Sequence, residues 1–392
     1  DGTRDIFIGR PGGSAPTVSR VAVDDTFTMV QRNGSISQEL VSGLGSSIAV
    51  ANSSADSPGD IIMTAPQRSG TPPGSVVVAP FQALIDSRLT RVSELVPADL
   101  GTVGAAPATA QFATKVVTVR DVDGDGKSDF LVGAPGIVID GSAIAGFFVS
   151  SVSRTIVGPR VAMSASSTTM GAEVSALGDI DGDGDEDYAF GAPDDGSRGR
   201  VFLQRSTQQG LSTIEPPSAI VTANARFGFA VSPIGDVDGD GRNEILIGAP
   251  LDTLNGALDV PGCDVHSPRA YSGDCSGGVY LVPSTQLEAN TAIPCFLRGN
   301  VERAGRLGHS LRALGPSLIP ELTADHQRFV VGSPGLVADV PQTSADDGLG
   351  VVLIVTFTFN PDGNNGSGGC AVNAVDLGIA TPGSFLGEAL PH

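Results

Sequence analysis

The 392-residue sequence contains no tryptophan, only three tyrosines and four cysteines, and few basic residues relative to acidic ones. Four cysteines are too few for a disulfide scaffold, and they lack the Cys-x-x-Cys spacing of a zinc knuckle. No run of 18 or more apolar residues occurs, so the sequence predicts no membrane-spanning helix. With 43 acidic against 23 basic residues, the formal net charge is −20. Nucleic acids and anionic membranes are bound through basic faces, so this charge argues against both as partners.

Glycine and proline are abundant, with 52 and 27 copies. Both residues are enriched in turns, so the composition favours turn-dense β structure over helices. Apolar residues make up 40% of the chain, which is enough for a globular core. A chain of this length can bury a substantial core, and the glycine and proline excess therefore does not indicate disorder.

Internal repetition is the strongest feature of the sequence. Three segments consist of an acidic Asp-x-Asp-Gly-Asp-Gly loop followed by an apolar run that ends in Gly-Ala-Pro. These segments span residues 121–135, 179–193 and 236–250. Three further segments keep the apolar run and the proline but lose most of the acids, and they span residues 5–11, 60–66 and 328–334.

A second marker, an apolar residue followed by a small one, opens a strand-like run ahead of these segments. The marker occurs at Leu44-Gly45, Phe112-Ala113, Met170-Gly171, Phe227-Gly228, Leu307-Gly308 and Leu386-Gly387. Each unit therefore predicts the order strand, acidic loop, strand, turn, strand, loop, strand. Four short strands in about fifty to seventy residues are typical of a propeller blade, whereas a β-sandwich would not repeat one pattern six times. The sequence predicts an all-β fold, a β-propeller of four-stranded blades.

The whole chain, 1–392, is predicted to be a single propeller domain. Its approximate blade units are 385–392 plus 1–42, 43–110, 111–168, 169–225, 226–305 and 306–384. Six units are counted, and seven are possible.

The chain begins inside an acidic loop and ends with the first strand of a unit. The N- and C-terminal segments are therefore expected to pair and close the ring, which removes two exposed sheet edges. Two alternatives are a piece of a longer chain that has lost residues at its ends, and a last strand that completes a neighbour's ring in a head-to-tail polymer. Residues 1–5 do not resemble a signal peptide, so a secreted protein would be seen here in its mature form.

The acidic loops have the ligand pattern of a calcium site. Carboxylates at positions 1, 3, 5 and 9 supply hard oxygen ligands, the backbone carbonyl at position 7 completes the shell, and glycine at position 6 permits the bend. Hard oxygens in this number select calcium over zinc or copper. A solvated acidic turn is the alternative, but three full ligand sets argue against it. About three calcium sites are predicted, at Asp121, Asp123, Asp125, Lys127 and Asp129, at Asp179, Asp181, Asp183, Asp185 and Asp187, and at Asp236, Asp238, Asp240, Arg242 and Glu244.

An EF-hand shares the opening Asp-x-Asp-x-Asp-Gly but requires a glutamate at position 12 and a flanking helix on each side. Position 12 here is Val132, Phe190 or Ile247, each within an apolar run that ends in Gly-Ala-Pro. The sequence therefore argues against an EF-hand.

Other units keep only part of the ligand pattern. The weaker metal candidates are Asn52, Ser54, Asp56 and Asp60 in the unit 43–110, and Asp1 and Asp5 in the unit that combines 385–392 with 1–42. Two of the ligands in the unit 43–110 are neutral, and Pro58 occupies its position 7. The unit that ends at Pro334 lacks the ligands and is expected to hold no metal.

Two cysteine pairs are candidate disulfides. Cys263 and Cys275 bracket a Gly/Pro/Asp-rich insertion that a disulfide would staple, while Cys295 and Cys370 precede the start of a repeat at similar positions. The even count and the Lys-poor, Asp-rich composition favour an oxidising, extracellular setting. Asn-x-Ser sequons at Asn33, Asn52 and Asn365 matter only if the source glycosylates secreted proteins.

The marker Phe227-Gly228, the loop that starts at Asp236 and the Gly-Ala-Pro at 248–250 together resemble the FG-GAP repeat of the integrin alpha-subunit N-terminal propeller. The resemblance implies that the calcium loops join the first and second strands of their blades on one face of the propeller. It also implies that calcium stiffens these loops and is structural rather than catalytic. The resemblance is incomplete: six blades rather than seven are counted in these 392 residues, and no segment within them is expected to form an inserted von Willebrand-type domain or a leg domain.

No grouping of residues indicates catalysis. The chain has no Gly-x-Ser-x-Gly elbow, Walker loop or dinucleotide fingerprint, and its four histidines are scattered. His309 aligns with Phe229 of another unit, which indicates a strand position rather than a catalytic base. We therefore expect no enzymatic activity.

These features predict a calcium-stabilised extracellular propeller, secreted or at the cell surface, that binds a protein or glycan in adhesion or assembly. A lectin is an alternative, although the lack of tryptophan leaves few aromatic platforms for sugars. A non-catalytic module of a larger secreted protein and a structural subunit of an extracellular filament are further alternatives. The long loops at 252–276 and 335–349 are candidate binding loops.

Overall fold

A computed structural model describes residues 4–10, 17–23, 29–37, 44–51, 59–66, 74–80, 93–104, 110–206, 210–216, 221–237, 239–253, 277–284, 287, 295–298, 307–314, 327–333, 351–359 and 370–376. Residues 1–174 form one compact unit and residues 175–390 a second. The described residues contain 23 strands and one short 3-10 helix, Pro97–Leu100. The all-β prediction is confirmed.

The first unit contains three antiparallel sheets in which each strand pairs with its neighbour in sequence. The first sheet consists of β1 (Arg4–Arg10), β2 (Thr17–Val23) and β3 (Met29–Ser37). The second consists of β4 (Ile48–Ala51), β5 (Asp60–Ala65), β6 (Ser75–Pro80) and β7 (Ser93–Leu95). The third consists of β8 (Val116–Val119), β9 (Asp129–Ile139), β10 (Ser142–Val149) and β11 (Ile156–Ala162).

The remaining strands form three four-stranded sheets of the same kind, the first of which begins just before the boundary of the second unit. The fourth sheet consists of β12 (Glu173–Gly178), β13 (Asp187–Ala192), β14 (Arg200–Gln204) and β15 (Leu211–Ile214). The fifth consists of β16 (Ala230–Gly235), β17 (Glu244–Ala249), β18 (Gly278–Val282) and β19 (Cys295–Arg298). The sixth consists of β20 (Ser310–Leu314), β21 (Gln327–Ser333), β22 (Val351–Phe359) and β23 (Cys370–Asp376).

The predicted order of strand, acidic loop, strand, turn, strand, loop and strand is confirmed for the third, fourth and fifth sheets. The acidic loops join β8 to β9, β12 to β13 and β16 to β17. The predicted pairing of 385–392 with the N-terminal segment involves residues outside the described part of the chain, so ring closure stays a prediction. The blade boundaries and the single-domain organisation also stay predictions.

The second strand of each acidic-loop sheet is a nearly continuous apolar run because it is buried on both faces. In β17, Ile245 and Ile247 pack in a cluster with Leu203 of the fourth sheet. Between them, Leu246 points to the opposite face and packs with Leu311 of the sixth sheet. The fifth sheet therefore lies between two neighbours that cover both of its faces.

The repeated glycines lie where backbones approach too closely for a side chain. The N–H groups of Gly228 and Phe229 donate to the carbonyl of Gly248, at 3.1 and 3.3 Å. Gly228 has φ +89°, and a Cβ there would lie 2.5 Å from the carbonyl oxygen of Arg200 in the fourth sheet. A Cβ at Gly248 would lie 2.0 Å from the carbonyl oxygen of Gly308 in the sixth sheet. The two glycines therefore join the start of one sheet to its second strand while leaving room for both neighbours.

Candidate metal centres

The loop between β8 and β9 folds around the carboxylate of Asp121. Its Oδ1 accepts hydrogen bonds from the backbone N–H groups of Gly124 and Asp125, at 2.7 and 3.1 Å, and its Oδ2 accepts one from Gly126 at 2.6 Å. The two glycines have φ values of +81° and +83°, which favour glycine over other residues. These hydrogen bonds hold the pKa of Asp121 below its usual value, and the one from Gly126 has the largest effect.

The other two acidic loops repeat this arrangement. Asp179 accepts from the N–H groups at 182, 183 and 184, at 2.6, 3.2 and 2.9 Å. Asp236 accepts from those at 239, 240 and 241, at 2.7, 3.1 and 2.9 Å. Desolvation raises the pKa of Asp179, but the hydrogen bonds from the loop backbone outweigh it, and the net shift is downward. The first acid thus holds the backbone of each loop through three hydrogen bonds.

Carboxylates converge in two of the loops. Asp121, Asp123 and Asp129 each place one oxygen within 4.8 Å of the others, and Asp179, Asp181 and Asp187 do the same. The structure therefore brings together the predicted ligands at positions 1, 3 and 9. In the third loop, Asp238 lies outside the described residues, so its predicted cluster is not tested.

The fifth-position acids bend the loops toward position 7. The N–H groups of Lys127, Asp185 and Arg242 donate to the carboxylates two residues earlier, and the acceptors are Asp125 at 2.9 Å, Asp183 at 2.8 Å and Asp240 at 2.9 Å. The side chains at position 7 differ in charge, which is compatible with the predicted calcium pattern, since that pattern uses only the backbone carbonyl at this position.

The ninth-position acids Asp129, Asp187 and Glu244 begin the second strand of their sheets and are buried, with at most 1% of each residue exposed. Burial raises the pKa of Asp129 and of Asp187, against the opposing effect of backbone hydrogen bonds. A buried carboxylate is stable when it is hydrogen-bonded and when nearby positive charge balances it. A cation at the converging oxygens would supply that charge.

Each ninth-position acid ties its loop to the turn after the third strand. Asp129 accepts from Val122 N–H at 2.8 Å and from Ser151 N–H at 3.1 Å. Asp187 accepts the equivalent pair of hydrogen bonds from the N–H groups of residues 180 and 206, both at 3.0 Å. Glu244 accepts them from the N–H groups of residues 237 and 284, at 2.6 and 3.3 Å. In each case one oxygen holds position 2 of the loop and the other holds a serine.

These serines contact the candidate ligands, and the sequence reasoning missed them. The hydroxyl of Ser206 donates to Asp183, and that of Ser284 donates to Asp240 at 2.6 Å. Ser151, Ser206 and Ser284 each lie two residues after the third strand of their sheet. That shared position, visible only once the strand ends are known, is the signal that could have found them.

The weaker candidates fall mostly outside the described residues. Asn52, Ser54, Asp56 and Asp1 lie outside them, and Asp5 lies in β1. Asp60 begins β5, is buried, and accepts hydrogen bonds from the guanidinium of Arg154. Cys263 and Cys275 also lie outside the described residues, while Cys295 and Cys370 begin β19 and β23. Both disulfides stay predictions.

Strands rather than helices flank the acidic loops. The residues at position 12, Val132, Phe190 and Ile247, are buried within β9, β13 and β17. The argument against an EF-hand is confirmed.

In the part of the chain that the structure describes, we find no helix with the length and apolar character needed to cross a membrane.

Two parts of the chain match known repeat families. Residues 112–142 match the FG-GAP repeat, and residues 179–247 match the FG-GAP-like repeat. These two parts of the chain carry FG-GAP-type repeats, and they include all three acidic loops, at 121–129, 179–187 and 236–244.

Integrin alpha subunits are among the curated proteins that are similar in sequence to this chain. Integrin alpha-4 of Xenopus laevis is 28% identical over 263 residues, which cover 63% of this chain and 24% of that protein. Integrin alpha-PS3 of Drosophila melanogaster is 33% identical over 147 residues, covering 34% of this chain and 13% of that protein. The chain thus spans at most about a quarter of these relatives' length. The predicted resemblance to the integrin alpha FG-GAP repeat is confirmed.

Two solved propellers are also similar in structure. A fungal lectin from Aleuria aurantia, described as a six-bladed β-propeller with a novel mode of fucose recognition, has a TM-score of 0.39, 12% identity and 97% coverage of both chains. The β-propeller domain of the trilobed protease from Pyrococcus furiosus has a TM-score of 0.35 and 9% identity, covering 97% of this chain and 98% of that one. Likeness at this level bears on neither blade number nor ligand.

Proposed function

We propose that this chain is a calcium-stabilised, integrin-alpha-like propeller that mediates adhesion or protein–protein assembly outside the cell and catalyses no reaction. The observation that carries the calcium proposal is the convergence of three carboxylates within 4.8 Å in each of two FG-GAP loops. Three negative charges at this separation repel one another, and a divalent cation would turn that repulsion into attraction.

The type of ligand favours calcium. All proposed side-chain ligands are carboxylates, at positions 1, 3, 5 and 9 of the loops at 121–129, 179–187 and 236–244. Such hard oxygens suit calcium, and the loop supplies a backbone carbonyl at position 7 as a further ligand. The hydrogen bonds around Asp236 match those around Asp121, which supports a third site in the third loop.

The sheet arrangement supports a propeller. Each described four-stranded sheet is an up-and-down antiparallel sheet, and within the second unit the fifth sheet is covered on both faces by its neighbours. A propeller stacks such sheets face to face around an axis. We propose that the ring is completed by pairing residues 385–392 with the N-terminal segment, as one chain.

Homology supports the partner class and the location. The relatives are integrin alpha subunits, and in the FG-GAP resemblance the propeller is an extracellular binding module. The proposed partner is accordingly a protein or glycan at the cell surface or in extracellular material. The acidic charge of −20 is compatible with such partners and argues against nucleic acid.

The function is tested by affinity capture from the native extracellular material, in calcium and in chelator, followed by mass spectrometry. We expect a protein or glycoprotein partner that is retained in calcium and released in chelator. A variant with Asp121→Asn, Asp179→Asn and Asp236→Asn serves as the bait that should behave in calcium as the wild type does in chelator. Identical retention under all conditions would contradict the proposal, and retention of a free glycan without protein would favour a lectin instead.

A further inference from the structure

In the second sheet, the acid at the ninth loop position, Asp60, forms an ion pair with Arg154. Asp60 begins β5 as Asp129 begins β9, so the two carboxylates occupy equivalent positions in consecutive sheets. The Nε of Arg154 lies 3.2 Å from Oδ2 of Asp60, and its Nη2 lies 3.4 Å from Oδ1. Both carboxylate oxygens therefore accept from one guanidinium, which is the geometry in which arginine binds carboxylates most specifically.

The pair is largely removed from solvent. The side chain of Asp60 is 7% exposed and that of Arg154 is 25% exposed. A carboxylate this buried requires a counter-charge or several hydrogen bonds, because burial strongly disfavours an isolated charge. In Asp129 the two oxygens bind backbone N–H groups and face two further acids, whereas in Asp60 they bind a cation that belongs to the protein.

Arg154 is held in place by the turn between β10 and β11 of the next sheet. Its φ of +58° lies in the left-handed region, which residues with a side chain rarely adopt. Its N–H donates to the carbonyl of Ser150 at 3.1 Å, and the Ser150 hydroxyl accepts from the N–H groups of Val152 and Ser153, at 3.3 and 3.1 Å. The turn thus directs the arginine across to the neighbouring sheet.

The loop that precedes β5 carries fewer acids than the three acidic loops. Its positions 1 and 3 are the neutral residues Asn52 and Ser54, where the three acidic loops have aspartates, so only Asp56 and Asp60 are acidic at the ligand positions. We propose that Arg154 is the built-in cation of the second sheet and supplies to Asp60 the positive charge that calcium supplies in the three acidic loops. The second sheet is then held without metal, and Asp60 is the ion-pair partner of Arg154 rather than a metal ligand. The comparison with calcium rests on the proposed function, whereas the ion pair itself does not.

A double-mutant cycle tests the proposal. The full chain and its Asp60→Asn, Arg154→Gln and doubly substituted variants are unfolded by denaturant, once in chelator and once in calcium. Each single substitution should lower the folding equilibrium constant at least about tenfold, and the double should be little worse than the more harmful single. The coupling should be the same in both buffers. Additive effects would overturn the proposal, as would a coupling that vanishes in calcium, because Asp60 would then serve a metal.

Two controls sharpen the cycle. Arg154→Lys keeps the positive charge but loses the bidentate geometry of the guanidinium, so the stability of this variant should lie between those of the wild type and Arg154→Gln. A lysine variant that is no more stable than the glutamine variant would contradict the charge argument. The pair Arg160–Asp140, with side chains 38% and 50% exposed, should show a much weaker coupling. If calcium leaves the wild type's stability unchanged, the proposed function fails, but the cycle in chelator still reports on Arg154.

Discussion

The hydroxyl of Ser284 donates a hydrogen bond to Oδ2 of Asp240 at 2.6 Å, which joins the turn after β18 to the fifth position of the acidic loop. The N–H of the same serine donates to the ninth-position Glu244 at 3.3 Å. One residue thus holds two of the proposed calcium ligands, from a position 40 residues away from Glu244 along the chain. Ser206 makes the equivalent contacts in the fourth sheet, while the buried hydroxyl of Ser151 has no hydrogen-bond partner among the described residues.

This difference predicts unequal effects of removing the three hydroxyls. Ser206→Ala and Ser284→Ala should each weaken calcium binding at one site by about tenfold, because a hydrogen bond to a charged group contributes about 1.5–3 kcal/mol. Ser151→Ala is the matched control and should bind calcium as the wild type does. Isothermal titration of calcium into each variant measures the affinities. Equal weakening in all three, or in none, would show that the hydroxyls do not position the ligands.

The acidic loops and the four-stranded sheets could be predicted because their determinants are local. Asp121 and Asp129 lie within one short loop, and each sheet follows from consecutive apolar runs. The contact between Arg154 and Asp60 joins residues 94 positions apart in neighbouring sheets. No spacing rule connects such residues until the strand register and the turn after β10 are known. The serines were missed for the same reason, since their role depends on where the third strand ends.

Calcium removal is expected to lower the melting temperature of the whole chain. Calcium binds the folded loops in preference to the unfolded chain, and at about tenfold excess over the dissociation constant each site contributes about 1.4 kcal/mol. At affinities of about 10⁻⁴–10⁻³ M, a tenfold excess corresponds to about 1–10 mM calcium. Calorimetry in calcium and in chelator measures the shift.

Asp181→Ala should reduce this calcium-dependent shift by about one site's share, whereas Glu94→Gln, an exposed acid in β7, should leave it intact. A wild-type melting temperature that is identical in the two buffers would rule out structural calcium. A full shift in the Asp181 variant would rule out that residue as a ligand.

Gly228, the small residue of one repeat marker, is expected to tolerate no side chain, whereas the equivalent marker position in another repeat is an alanine, Ala113. Gly228 and Ala113 occupy the same position in their repeats, with φ values of +89° and +59°. Gly228→Ala should destabilise the chain by about 1–3 kcal/mol, because the new Cβ would lie 2.5 Å from the carbonyl oxygen of Arg200. Ala113→Gly should change stability by less than about 1 kcal/mol, since relief of the left-handed strain is offset by the loss of a buried methyl. Denaturant titration compares the two, and equal effects would refute the close-approach argument.

The ion pair between Asp140 and Arg160 is expected to make stability depend on pH in the acid range. Oδ1 of Asp140 accepts a hydrogen bond from Thr102 N–H at 2.9 Å, and Oδ2 accepts one from Arg160 at 3.0 Å. Both contacts lower the pKa of Asp140, and the hydrogen bond from Thr102 has the larger effect. An acid with a lowered folded-state pKa stabilises the fold above its unfolded pKa of about 3.9, and that contribution is lost as the pH falls through the folded pKa.

Asp140→Asn should therefore be less stable than the wild type at pH 7, and the gap should shrink below about pH 4 and close once Asp140 is protonated in the folded protein. Both proteins are compared in chelator, so that protonation of the calcium loops affects them equally. A stability difference at pH 3 as large as that at pH 7 would mean that the carboxylate charge of Asp140 does not contribute, and that its role is limited to the shape of the turn between β9 and β10.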